Sequence, residues 1–384
     1  MILSYLGSKK SLLPFINHVI EPLLQQLEHD CKKPVVFCDY FLGSGCVANH
    51  FKTHPLVGRV VGTDTELYSY VIGKALLTVH YTHKLALIID QFNLIKVNAN
   101  DNVNASGNGQ GLVYKTFASS GRLYFNKENA LKIDAIRLAI NRLYHAHNIT
   151  YDEFLFLLAS LLVSASAVAN TCGTFRAHLK ALSQKARRKF KMIPLHKDRV
   201  LCKKNTVKQK DAINMALQQS QQSQQSQQSQ QSQQSQQSPS IVYLDPPYNS
   251  SHYGACYSFL NYLCLYDARL KTVGTGILEH YNKSNFGLSK YALKEFDTLF
   301  ASINSEYIVM SYSSGGILGI NAVLNLLLNK GNIILYKIWY KAYKANNHNK
   351  QNHVVEYLIV VDCRRAGAGS GSGFNTIKKC WLKL

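Results

Sequence analysis

None of the nine cysteines forms a Cys-x-x-Cys pair, and their number is odd. Paired-cysteine zinc sites and thioredoxin-type centres are therefore excluded, and reduced thiols in a cytoplasmic protein fit best. The start, Met1-Ile2-Leu3-Ser4-Tyr5, lacks the basic segment, apolar stretch and small-residue cleavage site of a secretory signal. Apolar runs of membrane-spanning length are missing too. The most apolar stretch, Phe154 to Ala169, follows Thr150-Tyr151-Asp152-Glu153, a capping box that opens a buried helix, so no membrane partner is expected. Acids are scarce, 22 Asp and Glu against 43 Lys and Arg. The resulting charge of +21 attracts polyanions before any specific contact forms, and nucleic acid is the partner it points to.

What is present reads as a sheet interrupted by an insert. Val35-Val36-Phe37 leads through Cys38-Asp39-Tyr40-Phe41-Leu42-Gly43-Ser44-Gly45 into the helix-like Val47-Ala48-Asn49-His50-Phe51, which is strand, glycine turn, helix. Arg59-Val60-Val61-Gly62-Thr63, ending at Asp64, and the helical pattern from Leu67 to Val79 repeat that order. Ile241-Val242-Tyr243-Leu244 and Tyr307-Ile308-Val309-Met310 read as further buried strands whose carboxyl ends open into loops, and Val354 to Val361 as the last strand. Such units imply an α/β fold with a parallel sheet covered by helices. The expected division is core residues 1–97, a helical basic insert 98–217, a linker 218–240, core residues 241–365, and a flexible tail 366–384. Lys127 to Leu143 and Phe154 to Ala169 are the insert's clearest helices. Residues 218–238 are seven copies of Gln-Gln-Ser, which carry no apolar group to offset the entropy of ordering and so predict a flexible linker. Gly367 to Gly373 predicts a second one.

Between Thr174 and Lys210 stand thirteen Lys and Arg and a single acid, Asp198. A solvated helix face mixes signs and this segment hardly does, so Arg176, Lys180, Lys185, Arg187, Arg188, Lys189 and Lys191 are candidate phosphate contacts.

Gly43 and Gly45 at a strand-to-helix turn allow a ligand close to the backbone, and Asp64 at the next strand end is placed to accept from ribose hydroxyls, although the third glycine of the dinucleotide fingerprint is missing. Asp245-Pro246-Pro247-Tyr248 is more specific. Two prolines remove two donors and fix φ, which makes a rigid loop of acceptors. An exocyclic amine under alkylation needs acceptors for its hydrogens while positive charge develops. Tyr248 offers a face on which a base taken out of the duplex can stack.

With these motifs the chain resembles the Dam-like (alpha group) N6-adenine-specific DNA methyltransferases. Tyr5-Leu6-Gly7-Ser8-Lys9 followed by Leu12-Leu13 is similar to the family's amino-terminal cofactor motif, Phe41 to Gly45 to its glycine motif, Asp64 to its ribose-binding acid, and Asp245 to Tyr248 to its catalytic loop. Ser311-Tyr312-Ser313-Ser314 and Glu356-Tyr357-Leu358 are similar to its later strands. The resemblance implies a Rossmann-like S-adenosylmethionine-dependent core with a mostly helical target-recognition insert. It implies that Tyr5, Lys9, Phe41, Gly43, Gly45, Asp64 and Asp245 contact S-adenosylmethionine, and that Asp245, Pro246 and Tyr248 handle the adenine. Double-stranded DNA is the implied partner, with a companion restriction endonuclease. Tyr5 stands where many members carry Trp, and the basic run and the Gln-Gln-Ser tract have no counterpart in the family pattern.

Other chemistries fit less well. Cytosine carbon-5 methylation needs a cysteine nucleophile, normally after a proline, and no Pro-Cys occurs. RNA adenine methylation, and non-catalytic nucleic-acid binding on the same scaffold, are the alternatives left by the residues. His353 and Glu356 have a spacing that suits a metal on a helix, but they stand in an apolar, strand-like run, and no metal is expected.

Overall fold

The computed structural model describes residues 3, 5–31, 34–97, 111–119, 121–198, 204–228, 239–341, 353–364 and 377–381. In chain order the strands are β1 (Val35–Asp39), β2 (Val57–Asp64), β3 (Thr206–Gln209), β4 (Ile241–Leu244), β5 (Thr272–Val273), β6 (Ile277–Leu278), β7 (Tyr307–Ser313), β8 (Asn332–Lys341), β9 (His353–Asp362) and β10 (Ile377–Trp381). Eight of them form one sheet in the order β10-β8-β9-β7-β4-β1-β2-β3, and β5 with β6 forms a small antiparallel pair. Neighbours from β3 to β7 run parallel, whereas β9 lies antiparallel between β7 and β8. The fold is thus the expected α/β methyltransferase-type architecture, with a parallel core.

Both faces of the sheet are covered, which is why the central strands read as unbroken apolar runs. Val35 and Phe37 of β1 enter one core, and Val36 and Cys38 enter the other. The winding reverses between β1 and β4, which pair directly through Asp39 and Tyr243. In sheets of this kind ligands bind at that reversal, outside the carboxyl ends of the strands.

Three elements fall where the sequence predicts something else. β3 pairs with β2 from Val61–Thr206 to Asp64–Gln209, so the expected insert of residues 98–217 contains the edge strand of the main sheet. Four residues with one lysine give too short a period to read. The helix Ala212–Gln228 runs into the Gln-Gln-Ser tract, whose first copy is held by the fold rather than free. Gln218 Oε1 accepts from Lys208 and Lys210 Nζ, the Tyr40 hydroxyl donates to Gln219 Oε1, and Ser220 Oγ donates to the Ser302 carbonyl. The rest of the linker beyond residue 228, and Gly367 to Gly373, lie outside the described residues. β10 adds to β8 from the segment expected to be a tail beyond the last strand.

Lys127–His145 and Tyr151–Val168 are the expected insert helices, and Thr150 and Glu153 close the capping box. Two thirds of Tyr151–Val168 is buried, as predicted for a core helix, and it packs on Leu67–Thr78. From Ala169 to Asp198 the chain forms no regular helix, although it lies inside the insert expected to be mostly helical. Side chains bond this backbone instead: Asn170 Nδ2 donates to the Leu179 and Ala181 carbonyls, Asn126 to that of Ala186, and Asn129 to that of Arg188. Phe175, Ala186, Phe190 and Met192 are buried while Arg176, Lys180, Arg187, Arg188, Lys189 and Lys191 project outward; Lys185 is half-buried.

The insert is fastened to the second half of the core by Arg137. Its Nε and Nη2 donate at 2.9 Å to the carbonyls of Leu263 and Cys264, at the end of the helix Ser258–Leu265, where a cation complements the helix dipole. Arg137→Ala should lower the unfolding free energy by roughly 2–4 kcal/mol, because two buried carbonyls lose charge-assisted donors. Urea denaturation measures this, and an unchanged midpoint would contradict it.

Candidate active site

The amino-terminal segment reaches the sheet because Leu12 and Phe15 are buried in the main core, which carries the turn Lys9–Leu12 down onto the strand ends. Lys9 is only 3% exposed. Its Nζ meets Asp245 Oδ1 at 2.8 Å, donates to the Gly7 carbonyl at 3.2 Å, and lies 5.5 Å from the centre of the Tyr248 ring. Burial alone would neutralise this lysine, but Asp245, then Tyr248, Tyr243 and Glu356, outweigh it and hold the ammonium well above its ordinary range. Burial pushes the Asp245 carboxyl up and Lys9 pulls it back.

A second group forms at the ends of β1 and β2. The Gly43 amide donates to Asp64 Oδ2 at 2.7 Å and the Glu66 amide to Oδ1 at 2.9 Å, so Asp64 locks the glycine turn while still facing the cleft. Gly43 has φ +51° and a Cβ there would sit 3.0 Å from the Tyr5 ring. That ring stacks on Tyr257 at 4.7 Å and on Tyr253 at 5.3 Å, and its hydroxyl meets Tyr68. Phe41 packs edge-on against Phe286, with ring centres 5.4 Å apart.

Tyr5, Lys9, Phe41, Gly43, Asp64 and Asp245 line one cavity of about 250 Å³ at the reversal point. A single water needs only ~10–15 Å³, so the space suits an organic ligand. Gly45 is placed differently. With φ +72° it precedes the helix Cys46–Lys52 and packs against Leu76, away from the cavity wall. Tyr248 lies beyond Lys9, its ring edge-on to Tyr312 at 5.6 Å.

Several residues here carry no motif. Asp39, 1% exposed, accepts from the Phe41 amide at 3.3 Å; burial and then Asp245 raise its carboxyl to about 8. Glu66, 4% exposed, accepts from Asn261 Nδ2 at 2.6 Å, and burial takes it to about 7. The loop from Asn282 to Phe286 closes one side of the cavity. Asp39 and Glu66 flank the glycine motif and Asp64, which was the available signal; the loop had none. Among the described residues no cluster of His, Cys, Asp or Glu could hold a metal.

The basic loop adjoins this site. The Phe175 amide donates to the Cys256 carbonyl at 2.6 Å, and Thr275 Oγ1 donates to the Arg176 carbonyl. Burial, Lys283 and Arg176 together press His252 below its ordinary range, so positive charge gathers just beyond the proline loop.

The model of the D12 class N6 adenine-specific DNA methyltransferases matches residues 5–323. The Type II methyltransferase M.NlaIII of Neisseria lactamica is 30% identical over 367 residues, 94% of this chain and 99% of that protein. The Type II methyltransferase M.CviAII of Paramecium bursaria Chlorella virus 1 is 30% identical over 362 residues, 94% and 98% of the two chains. The modification methylase LlaI of Lactococcus lactis subsp. lactis is 29% identical over 347 residues, 89% of this chain and 52% of that protein. The chain belongs to the D12 class N6 adenine-specific DNA methyltransferase family, and it is an enzyme that methylates adenine in DNA.

Proposed function

We propose that the methyl donor is S-adenosylmethionine, held in the cavity by Tyr5, Lys9, Phe41, Gly43, Asp64 and Asp245. When bound it supplies a methyl group on a positively charged sulfur. The residues present fit such a cation: the Asp64 and Asp245 carboxyls line the cavity, with the buried Lys9 ammonium paired to Asp245. The Gly43 turn admits the ligand close to the backbone, and the Tyr5 ring, stacked on two tyrosines, offers it a fixed wall.

The target adenine sits, in this reading, against Tyr248, whose plane Tyr312 braces. Lys9 occupies Asp245 Oδ1 and leaves Oδ2 to accept one amine hydrogen, while the Pro246 carbonyl accepts the other. These acceptors orient the nitrogen lone pair toward the methyl carbon and stabilise the charge that develops on nitrogen. Once the amine has taken the methyl group it would carry one proton too many, and the Asp245 carboxylate would accept it.

Arg176, Lys180, Lys185, Arg187, Arg188, Lys189 and Lys191 contact DNA phosphates, which positions the duplex without reading its sequence. Two relatives carry the name Type II methyltransferase and one modification methylase. Extending this, the enzyme acts in the cytoplasm beside a companion restriction endonuclease whose sites it protects.

The ion pair of buried Lys9 with Asp245, set where the cavity meets the proline loop, carries this reading. Asp245→Ala should cut methyl transfer to duplex DNA by roughly a thousandfold or more, with DNA affinity changed only a few-fold; transfer near the parent rate would refute the site. Replacing Arg187, Arg188 and Lys189 together by Ala should weaken binding across all sequences. The slope of log affinity against log salt should fall by about one for each phosphate that is no longer neutralised, with the rate at saturating DNA preserved. Titration at several salt concentrations reads both, and an unchanged slope would remove the phosphate assignment.

A further inference from the structure

Glu356 is a buried carboxyl with no part in the chemistry described above. It is 7% exposed, and its Oε2 has no hydrogen-bond partner, one of four buried side-chain atoms so placed among the described residues. An unmet buried acceptor costs a fold about 1–3 kcal/mol, and more when it is charged. Persistence of such an oxygen needs a reason.

Its position supplies one. Residues of β9 alternate between the two cores, Leu358 and Val360 in one and Ile359 and Val361 in the other, so Glu356 shares the face of Leu358. Tyr243 of β4 is on that face, and Asp245 follows it by two residues. Tyr243 reaches across to β7 through a 2.6 Å contact between its hydroxyl and Ser311 Oγ. Ser313, two residues further, is the register partner of Glu356. A polar row thus crosses β4, β7 and β9 beneath the proline loop, with the Lys9 ammonium held at its Asp245 end.

Among the described residues, the groups that face Glu356 are few. Lys9 comes from the amino-terminal turn, Asp245 and Tyr248 from the proline loop, and Ser313, its hydrogen-bonding neighbour, from β7; β8 places uncharged Ile338 opposite it. Lys9 is the cation among them, and it already bonds Asp245. One ammonium therefore lies within electrostatic reach of two carboxyls, in contact with Asp245.

We propose that Glu356 is a positioning residue for methyl transfer: its carboxylate shares the Lys9 ammonium with Asp245, which keeps Asp245 basic enough to hold and then deprotonate the target amine. This rests on the role given above to Asp245. Burial, opposed by Lys9 and reinforced by Asp245, raises the Glu356 carboxyl to about 7, so it changes charge within the working range. Below that pH Asp245 carries the whole of the Lys9 charge and is a poorer acceptor. Above it, the ammonium is divided.

The two consequences of Glu356→Gln oppose each other. The folded carboxyl holds its proton to about 7, against 4.5 when unperturbed, so the folded state binds more protons between those values. Stability is lost as pH rises through that window. The variant escapes this loss, and at pH 8 it should melt at a higher temperature than the parent. Its single-turnover transfer should be roughly ten- to a hundredfold slower, with cofactor affinity within a few-fold of the parent. The parent's rise in rate through about pH 7 should be absent from it and retained by Glu356→Asp. A variant that transfers at the parent rate, or that melts lower at pH 8, overturns the proposal, the latter because a merely structural role predicts it. The melting comparison needs no turnover, and Asp245→Ala in the same single-turnover assay tests the Asp245 reading separately.

Discussion

The ion pair between Lys9 and Asp245 is the constraint on which the arrangement of this enzyme depends. It joins a turn at the start of the chain to the loop after β4, with Lys9 buried and Asp245 only partly exposed. Burial of that kind is costly unless geometry and further hydrogen bonds compensate. Here they do so in part: Lys9 also donates to the Gly7 carbonyl and lies over the Tyr248 ring. Breaking the pair would strand a charge at the place where the cavity meets the proline loop. The pair is therefore better understood as fixing position than as adding stability.

Everything else at the site is arranged around that point. The reversal of winding between β1 and β4 opens a crevice, and Asp64 closes the glycine turn beside it with two short bonds to backbone amides. Aromatic stacking of Tyr5 on Tyr253 and Tyr257 welds the amino-terminal segment to the helices that follow the proline loop. Asn170, Asn126 and Asn129 hold an irregular loop by its backbone, and this frees its cations to face outward. A helix would have turned part of the same charge inward or along its own axis.

How much of this the sequence showed depended on whether a signal was local. β1, β4 and β7 begin as apolar runs, β2 carries Val60-Val61 at its centre, and all four stand where they were expected. The capping box at Thr150 and Glu153 was legible because its two partners are close neighbours in the chain. β3 was not, because its place at the sheet edge is decided by pairing with β2 across a long insert. The first Gln-Gln-Ser copy was misjudged for a related reason: its polar groups find partners on Lys208, Lys210 and Tyr40, which composition does not reveal. Gly45 read as a ligand contact because it shares a motif with Gly43, yet its φ and its closeness to Leu76 make it a helix start. Glu356 was visible as part of a strand similar to the family's later ones and as a metal ligand weighed and set aside, but not as a partner of the site, since its neighbours Lys9 and Asp245 are brought to it by the sheet.

A double-mutant cycle on the central pair tests the role of Lys9 and Asp245 most directly. Single-turnover methyl transfer to duplex DNA would be measured for the parent, Lys9→Met, Asp245→Ala and the double variant. With cofactor saturating, and if the ammonium acts on the amine through Asp245, the double variant should be no slower than Asp245→Ala alone, because the target amine no longer feels Lys9 once its acceptor is gone. Losses that multiply would show the two residues acting independently, and the pair would cease to be the organising feature of the site.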